Sequence, residues 1–372
     1  MTYSAILEKL LAQQNLLTEE ITWLIAETMH GRLTPAQVAG WLVALRNKGE
    51  TPEEVAACAR TMRNMATPIR RTELPPLFID TCGTGGDRSH LINISTLVGL
   101  TLAALGIPVA KHGNRAVSSA SGSADVLEAC GYPLEENPEL ITARLASRNF
   151  AFFFAPLYHP AMKHAGPVRR ELGVRTVFNI LGPLANPAGA PVQLMGVYDK
   201  ALLMPVAETL RLLGVRAALV VHSDDGLDEI SPLAKTSYAL LQPSGITGGV
   251  YSPPPQERLG SLDSLKATTK ESSLAMFRQV IDGQLPAGAY MTALNAAFAR
   301  KLFEAVQSGN DLKDPAPTAD EITEVFSLIQ SGALTPGPPG APPRGRRRAG
   351  RASPSPDRRS ASCSSSPART GH

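Results

Sequence analysis

Asp80-Thr81-Cys82-Gly83-Thr84-Gly85-Gly86-Asp87, continuing to Asn93-Ile94-Ser95-Thr96, is the stretch on which the reading of this 372-residue chain turns. A second polar stretch follows it, Lys111-His112-Gly113-Asn114-Arg115-Ala116-Val117-Ser118-Ser119. Each comes after a short apolar segment, Leu77-Phe78-Ile79 and Ile107-Pro108-Val109-Ala110, and these segments read as strands. Glycines let backbone N–H groups approach a phosphate closely, hydroxyls add donors, and a helix start adds partial positive charge. Two such loops in one sheet imply a substrate carrying phosphate at more than one position.

The same alternation runs outward on both sides. Helices are expected at Ser95 to Leu105 and Ser123 to Cys130, and further strands at Ala151–Phe154, Gln193–Tyr198 and Ala217–Val221. Strand, loop and helix in repetition predict an α/β fold, a mostly parallel sheet flanked by helices, with ligands at the carboxyl ends of its strands. Asp228-Glu229, in the loop after the Val221 strand, falls on the same rim. Pro160 to Leu172 reads as helix, Arg175 to Pro187 as irregular, Thr236 to Tyr251 as a hairpin, and Glu271 to about Gln330 as helices.

Before Leu77 no segment is strand-like. Apolar residues recur at helical spacing (Ile6, Leu10, Leu11; Val38, Trp41, Leu42, Leu45), and Thr18-Glu19-Glu20 and Thr34-Pro35-Ala36 are good helix starts. Residues 1–70 therefore read as a small all-helical N-terminal domain, joined by helices near 160–185, and residues 71–335 as the α/β domain. Residues 336–372 are Pro/Arg/Ser-rich without an aromatic, a composition that cannot offset its ordering entropy.

Apolar content of 43% and charged content of 19% are those of an ordinary globular protein. The net charge of +3 divides unevenly: the tail holds eight arginines against Asp357, which leaves the body at about −4. A nucleic-acid role would rest on the tail alone, and only as weak, non-specific binding. No apolar run is long enough for a membrane span, and the start lacks the basic-then-apolar pattern of a secretory signal, so a cytoplasmic location is expected. Four scattered cysteines without a CxxC pair argue against zinc and against a disulfide framework.

Taken with His159-Pro160-Ala161-Met162-Lys163-His164, Pro167-Val168-Arg169-Arg170 and Asn179-Ile180-Leu181-Gly182-Pro183-Leu184, these blocks resemble, in order, the anthranilate phosphoribosyltransferase family of tryptophan biosynthesis. The likeness runs from about residue 5 to residue 335. It implies the nucleoside phosphorylase/phosphoribosyltransferase-like (class III) architecture, a homodimer, and transfer of phosphoribose from phosphoribosyl pyrophosphate to the amine of anthranilate with Mg²⁺. The residues suit those roles, because displacement at an anomeric carbon leaves a heavily charged pyrophosphate and catalysis is then mainly electrostatic and positional.

By this resemblance Gly83, Gly86, Asp87, Asn93, Ile94, Ser95, Thr96, Lys111, Asn114, Arg115, Ser118, Ser119 and Ser123 hold phosphoribosyl pyrophosphate. Ser95, Asp228 and Glu229 match the magnesium ligands, hard oxygen donors that suit the ion. Arg169, with Gly83 and Asn114, would meet anthranilate, a planar guanidinium fork matching a carboxylate. Lys111 and His112 are the catalytic candidates, Lys111 by neutralising phosphate and His112 by orienting the amine or accepting a proton late. Taken singly, each has a plainer reading: a turn, a surface lysine, a structural histidine, a polar turn at Asp228-Glu229, one half of a solvated helix face at Arg169-Arg170.

Two departures stand out. Arg88 and Leu91 occupy positions where the family usually has a small residue and a hydroxyl, and Leu91 cannot donate to phosphate, so a weakened affinity is expected. The tail beyond residue 336 reads as a frame-shifted or extended end. Rival readings are a pyrimidine-nucleoside phosphorylase of the same fold and a catalytically dead, nucleic-acid-binding relative. A Rossmann dehydrogenase lacks its G-x-G-x-x-G fingerprint here.

Overall fold

The computed structural model describes residues 1–87, 89–116, 120–134, 137–255 and 261–334. The first four helices, α1 (Tyr3–Leu11), α2 (Thr18–Met29), α3 (Pro35–Lys48) and α4 (Pro52–Asn64), form a bundle. Local signals start them: Thr34 and Thr51 accept from the amides of Gln37 and Glu54, each with proline at the first helical position. Glu54 also accepts from the Leu16 amide and pairs with the Lys48 ammonium at 2.8 Å. That buried carboxylate ties the α1–α2 loop to the end of α3, and removing one partner of such a pair costs about 3–5 kcal/mol.

A seven-stranded sheet follows, ordered β3-β2-β1-β4-β5-β6-β7. Its strands are β1 (Ile79–Gly83), β2 (Val109–Gly113), β3 (Phe150–Phe154), β4 (Val192–Gly196), β5 (Ala217–Ser223), β6 (Thr236–Gln242) and β7 (Gly245–Tyr251). The first five are parallel, and the β6–β7 hairpin completes one edge, β6 antiparallel to β5 and β7 antiparallel to β6. Helices α5 (Ile94–Ala104), α6 (Ser123–Ala129), α7 (Pro138–Arg148), α8 (Ala155–Tyr158), α9 (Met162–Leu172), α10 (Phe178–Leu184) and α11 (Leu203–Leu212) intervene, and α12 (Lys270–Ile281), α13 (Pro286–Ser308) and α14 (Ala319–Gln330) close the chain.

One face of the sheet packs under α5, α12, α13 and α14, with Leu97, Val126, Phe277, Leu294 and Val325 in its apolar interior. On the other face Met195 and Val220 join α9, α10 and α11 in a cluster that continues without a break into Trp41, Leu24 and Cys58 of the bundle. The bundle thus shares its core with the back of the sheet. The chain reverses the order of strand addition between β1 and β4, which makes the β1/β4 boundary the switch point where a ligand crevice opens.

Two expectations are corrected. The β1 and β2 strands begin at Ile79 and Val109 and run on through polar residues, so Asp80, Thr81 and Cys82, and equally Lys111 and His112, are strand residues and not loop residues. An apolar run marks only the start of a strand whose carboxyl end carries the site. Within the Arg175–Pro187 stretch, read as irregular, residues 178–184 form helix α10, with Pro183 in its last turn. Residues 336–372 and Arg88, Ser118 and Ser119 lie outside the described residues.

Candidate active site

A cavity of about 770 Å³ opens at the switch point. It is walled by the loops after β1 and β2, by the Asp228-Glu229 loop, and across from them by α9, α10 and Met62 of α4. Gly83, Gly86, Asp87, Asn93, Ile94, Ser95, Thr96, Lys111, His112, Asn114, Arg115, Ser123, Arg169, Asp228 and Glu229 all line it. The structure therefore gathers every described candidate into one cleft.

At the strand ends the glycines are required by close approach. A Cβ on Gly83 would meet Asp228 Oδ2 at 2.4 Å, and one on Gly113 would meet Ser123 Oγ at 2.1 Å. The Gly85 amide donates to Asp228 Oδ2 at 2.8 Å, so the glycine loop is folded over that carboxylate. Lys111, 2% exposed, donates to the Thr81 carbonyl and to Ser95 Oγ at 3.3 Å. Burial holds its pKa below the ordinary lysine value, although Asp80 and Glu229 pull the other way. Asp80 is fully buried, accepts from Asn186 Nδ2 at 2.8 Å, and is pushed up to about 6, chiefly by burial.

Asp228 and Glu229 carry the same signature more strongly. Burial and the neighbouring Asp87 push Asp228 up to about 7, and burial and Asp228 raise Glu229 well above the carboxylate range. Glu229 also faces Lys111 and the Ser95 amide. Among the described residues no group of three or more His, Cys, Asp or Glu side chains is gathered as a metal cage. A buried Asp228 and a half-buried Glu229 that repel each other, with Ser95 nearby, are still an oxygen donor set with excess negative charge, which fits a hard cation that keeps waters or phosphate oxygens as its other ligands.

Some candidates are otherwise engaged. The Asn93 side chain is locked to Ser121, donating to its carbonyl at 3.1 Å and accepting from its Oγ at 2.7 Å, so it joins the two loops. The Arg115 guanidinium is bound by Glu128 at 2.7 and 2.9 Å and by Asp125 at 3.4 Å while the residue still lines the cavity. Thr96 Oγ1 is buried with no partner among the described residues. Cys82 is buried within β1, and burial raises its thiol. Leu91 lines the cavity and packs against the apolar cluster below it.

The opposite wall is built on α10. Its last turn ends in four successive carbonyls, and side chains from four places in the fold donate to them. His112 Nδ1 meets Gly182 O at 3.1 Å, Gln193 Nε2 meets Pro183 O at 3.0 Å, Arg63 Nε meets Leu184 O at 2.7 Å, and His159 Nε2 meets Ala185 O at 3.0 Å. At the start of the helix the Thr176 amide donates to Asn179 Oδ1 at 2.9 Å. With Nδ1 carrying the proton for Gly182, His112 keeps Nε2 as an acceptor, and Nε2 is buried without a partner among the described residues. Burial, with His159 edge-on at 5.2 Å, lowers its pKa to about 3, so the ring is neutral. Arg169 lines the cavity while Arg170 does not, and its guanidinium lies over the Phe178 ring at 5.2 Å. Sequence reasoning gave no role to Asp80, His159, Asn179 or Asn186, although the first three stood inside blocks already singled out.

This rim and wall, with the bundle behind them, belong to a known family of glycosyl transfer enzymes. The helical bundle domain of the glycosyl transferase family matches residues 4–66, and its a/b domain matches residues 75–333. Anthranilate phosphoribosyltransferase of Alkalilimnicola ehrlichii is 47% identical over 323 residues, 85% of this chain and 91% of the relative. The crystal structure of the Thermus thermophilus anthranilate phosphoribosyltransferase superposes with a TM-score of 0.74 at 37% identity, over 88% of this chain and 95% of that one. That of the Saccharomyces cerevisiae enzyme, in complex with PRPP and Mg, shares the fold with a TM-score of 0.73 at 24% identity, over 89% and 94%. The chain belongs to the glycosyl transferase family and, within it, to the anthranilate phosphoribosyltransferases.

Proposed function

We propose that this chain transfers the phosphoribosyl group of phosphoribosyl pyrophosphate to the amine of anthranilate, releasing pyrophosphate, in tryptophan biosynthesis. The observation that carries the reading is the meeting, in one cavity, of a charged strand-end rim, a neutral His112 turned to the α10 wall, and Arg169 of α9. Anthranilate would lie along that wall, its carboxylate on Arg169 and its amine toward His112 Nε2 and Asn114. The amine attacks C1 of the ribose through its lone pair, the bond from C1 to the pyrophosphate oxygen breaks, and the amine proton leaves late, with His112 Nε2 as its acceptor. The glycine-loop amides and Lys111 hold the pyrophosphate side in place.

Ser95, Asp228 and Glu229 would hold Mg²⁺, which when bound supplies charge neutralisation to the departing pyrophosphate. The helical part and the α/β part are read as two domains that bring the two substrates together, and the tail beyond residue 335 as dispensable for turnover. Leu11, Leu17 and Val43, large apolar residues exposed on the bundle, support a homodimer formed through that surface. Among the described residues no helix is long and apolar enough to cross a membrane. A cytoplasmic site of action belongs to the same proposal, through the biosynthetic role. The test is the decay of anthranilate fluorescence with phosphoribosyl pyrophosphate and Mg²⁺: chelator-sensitive decay is expected, and a folded chain that leaves the fluorescence unchanged would overturn the reading.

A further inference from the structure

The glycine loop is anchored at its base by its own strand neighbours. The Thr84 amide donates to Gly196 O at 3.0 Å, and Thr84 Oγ1 accepts from the Tyr198 amide at 3.0 Å. Its apex is held differently. The Gly86 carbonyl accepts from the guanidinium of Arg175, a residue of the segment between α9 and α10 and not of the cavity lining. The same guanidinium lies over the Tyr198 ring, its carbon 3.8 Å from the ring centre. The Arg175 carbonyl in turn accepts from the guanidinium of Arg46, in the last turn of α3. One residue therefore touches the bundle, the segment linking Arg169 to Asn179, and the apex of the phosphate loop.

The consequence follows from peptide geometry. In a trans peptide the N–H points opposite to the C=O of the same unit. With the Gly86 carbonyl drawn to Arg175, the Asp87 N–H is directed away from Arg175, on the side where Gly86 and Asp87 line the cavity. Gly86 has φ +77, a conformation without a strong intrinsic preference for one peptide orientation, so an external anchor is needed to fix it.

We propose that Arg175 is a positioning residue for the pyrophosphate: by holding the Gly86 carbonyl it aims the Gly86–Asp87 peptide at the phosphate. It also couples the phosphate rim to the wall that carries Arg169. The proposal rests on the reading of this cleft as a phosphoribosyl site and deepens it. Tyr198 acts by holding the guanidinium over its ring, while a lysine ammonium lacks the planar fork that reaches the Gly86 carbonyl from there.

The experiment is calorimetric titration of the full chain with inorganic pyrophosphate in Mg²⁺, for the unchanged protein and for Arg175→Ala, Arg175→Lys and Tyr198→Leu, with thermal melts of each. Arg175→Ala is expected to bind pyrophosphate about 10- to 100-fold more weakly, the scale of one hydrogen bond to a charged group. Arg175→Lys should recover only part of that loss, Tyr198→Leu should fall between, and the melting temperatures should stay together. In turnover assays the KM for phosphoribosyl pyrophosphate should rise while that for anthranilate stays within about 3-fold. Added guanidinium ion should restore part of the Arg175→Ala affinity, which a merely structural role would not allow. Equal pyrophosphate affinity in Arg175→Ala, full recovery by lysine, or losses that only follow a lowered melting temperature would each overturn the proposal, as would an unchanged protein that does not bind pyrophosphate. A chain that binds pyrophosphate through Arg175 but leaves anthranilate untouched would overturn the transferase reading and leave this one standing.

Discussion

At the strand ends Lys111, Asp80 and Asp228 are buried as ionisable groups, and the two acids are pushed up to about 6 and about 7. His112, also on β2, and His159 are buried too, but as neutral rings turned to the α10 wall, where their N–H groups close the end of that helix. The first region has more negative charge than its own cation can balance. The second largely satisfies itself, with His112 Nε2 and Thr176 Oγ1 left without partners among the described residues. A wall of the first kind is completed by what binds to it, and its residues are held for function. A wall of the second kind is completed by folding, so its residues serve structure first.

The strongest way to break this comparison is at the metal-type carboxylates. Glu229→Gln should lower turnover at fixed Mg²⁺ about 100-fold or more, with part regained at high metal concentration. The same change should raise the melting temperature of the ligand-free protein, because it removes a carboxylate that burial and Asp228 disfavour. Kinetics against Mg²⁺ and a thermal melt check both. If activity and stability fell together, the strand-end charges would be structural and the contrast would fail.

A smaller effect is expected at the half-buried cation of the other wall. Arg169→Ala should raise the KM for anthranilate about 10- to 100-fold and leave that for phosphoribosyl pyrophosphate within about 2-fold. Arg169→Lys should fall between, since an ammonium cannot fork onto a carboxylate. Equal changes in both constants would mean that Arg169, over Phe178, serves packing instead.

The neutral histidine wall is tested by pH. A histidine lowered to about 3 in the folded state binds fewer protons there than in the unfolded chain. Its contribution is therefore full above the unfolded value near 6.5 and is lost as pH falls toward the folded value, with a slope of up to about 1.4 kcal/mol per pH unit. Asp80, pushed up to about 6, acts in the opposite sense: its contribution is present at low pH and is lost as pH rises through about 6. Comparing urea midpoints of the unchanged protein and His112→Gln between pH about 7 and about 4.5 cancels the Asp80 part. The unchanged protein should lose stability more steeply on acidification. Parallel curves would show that His112 is not held neutral by its surroundings.

The same contrast explains what could be read from the sequence. The glycines, Lys111, Asn114 and Asp228-Glu229 were legible because close approach and charge demand particular residue types at fixed places in a strand-loop-helix pattern. Helix α10 was not, since Asn179, Gly182 and Pro183 are local helix weakeners, and its carbonyl caps, Arg63, His112, His159 and Gln193, come from 10 to 121 residues away, outside the helix itself. Nor could the sequence show that Arg115 would be taken by Glu128, or that the bundle would share its core with the sheet. Those depend on which surfaces meet.

Leu91 gives the finest test, because it puts an apolar residue on the charged rim. Its backbone is fixed independently of its side chain: it forms an isolated antiparallel bridge with Lys266, flanked by Ile92 N to Leu265 O at 3.1 Å and Ala267 N to His90 O at 2.8 Å. A β-branched threonine suits such an extended pairing. Leu91→Thr should therefore keep the loop in place, give up some apolar contact with the cluster below, and add one donor at the cavity wall. The expected result is a KM for phosphoribosyl pyrophosphate lowered about 2- to 10-fold, the worth of one net hydrogen bond, with stability reduced by about 1 kcal/mol. The KM for anthranilate should not move, since Leu91 belongs to the rim and not to the α10 wall. An unchanged phosphoribosyl pyrophosphate constant would mean that backbone amides and Lys111 already satisfy the phosphate, and that the rim tolerates an apolar residue because its recognition is written in the main chain.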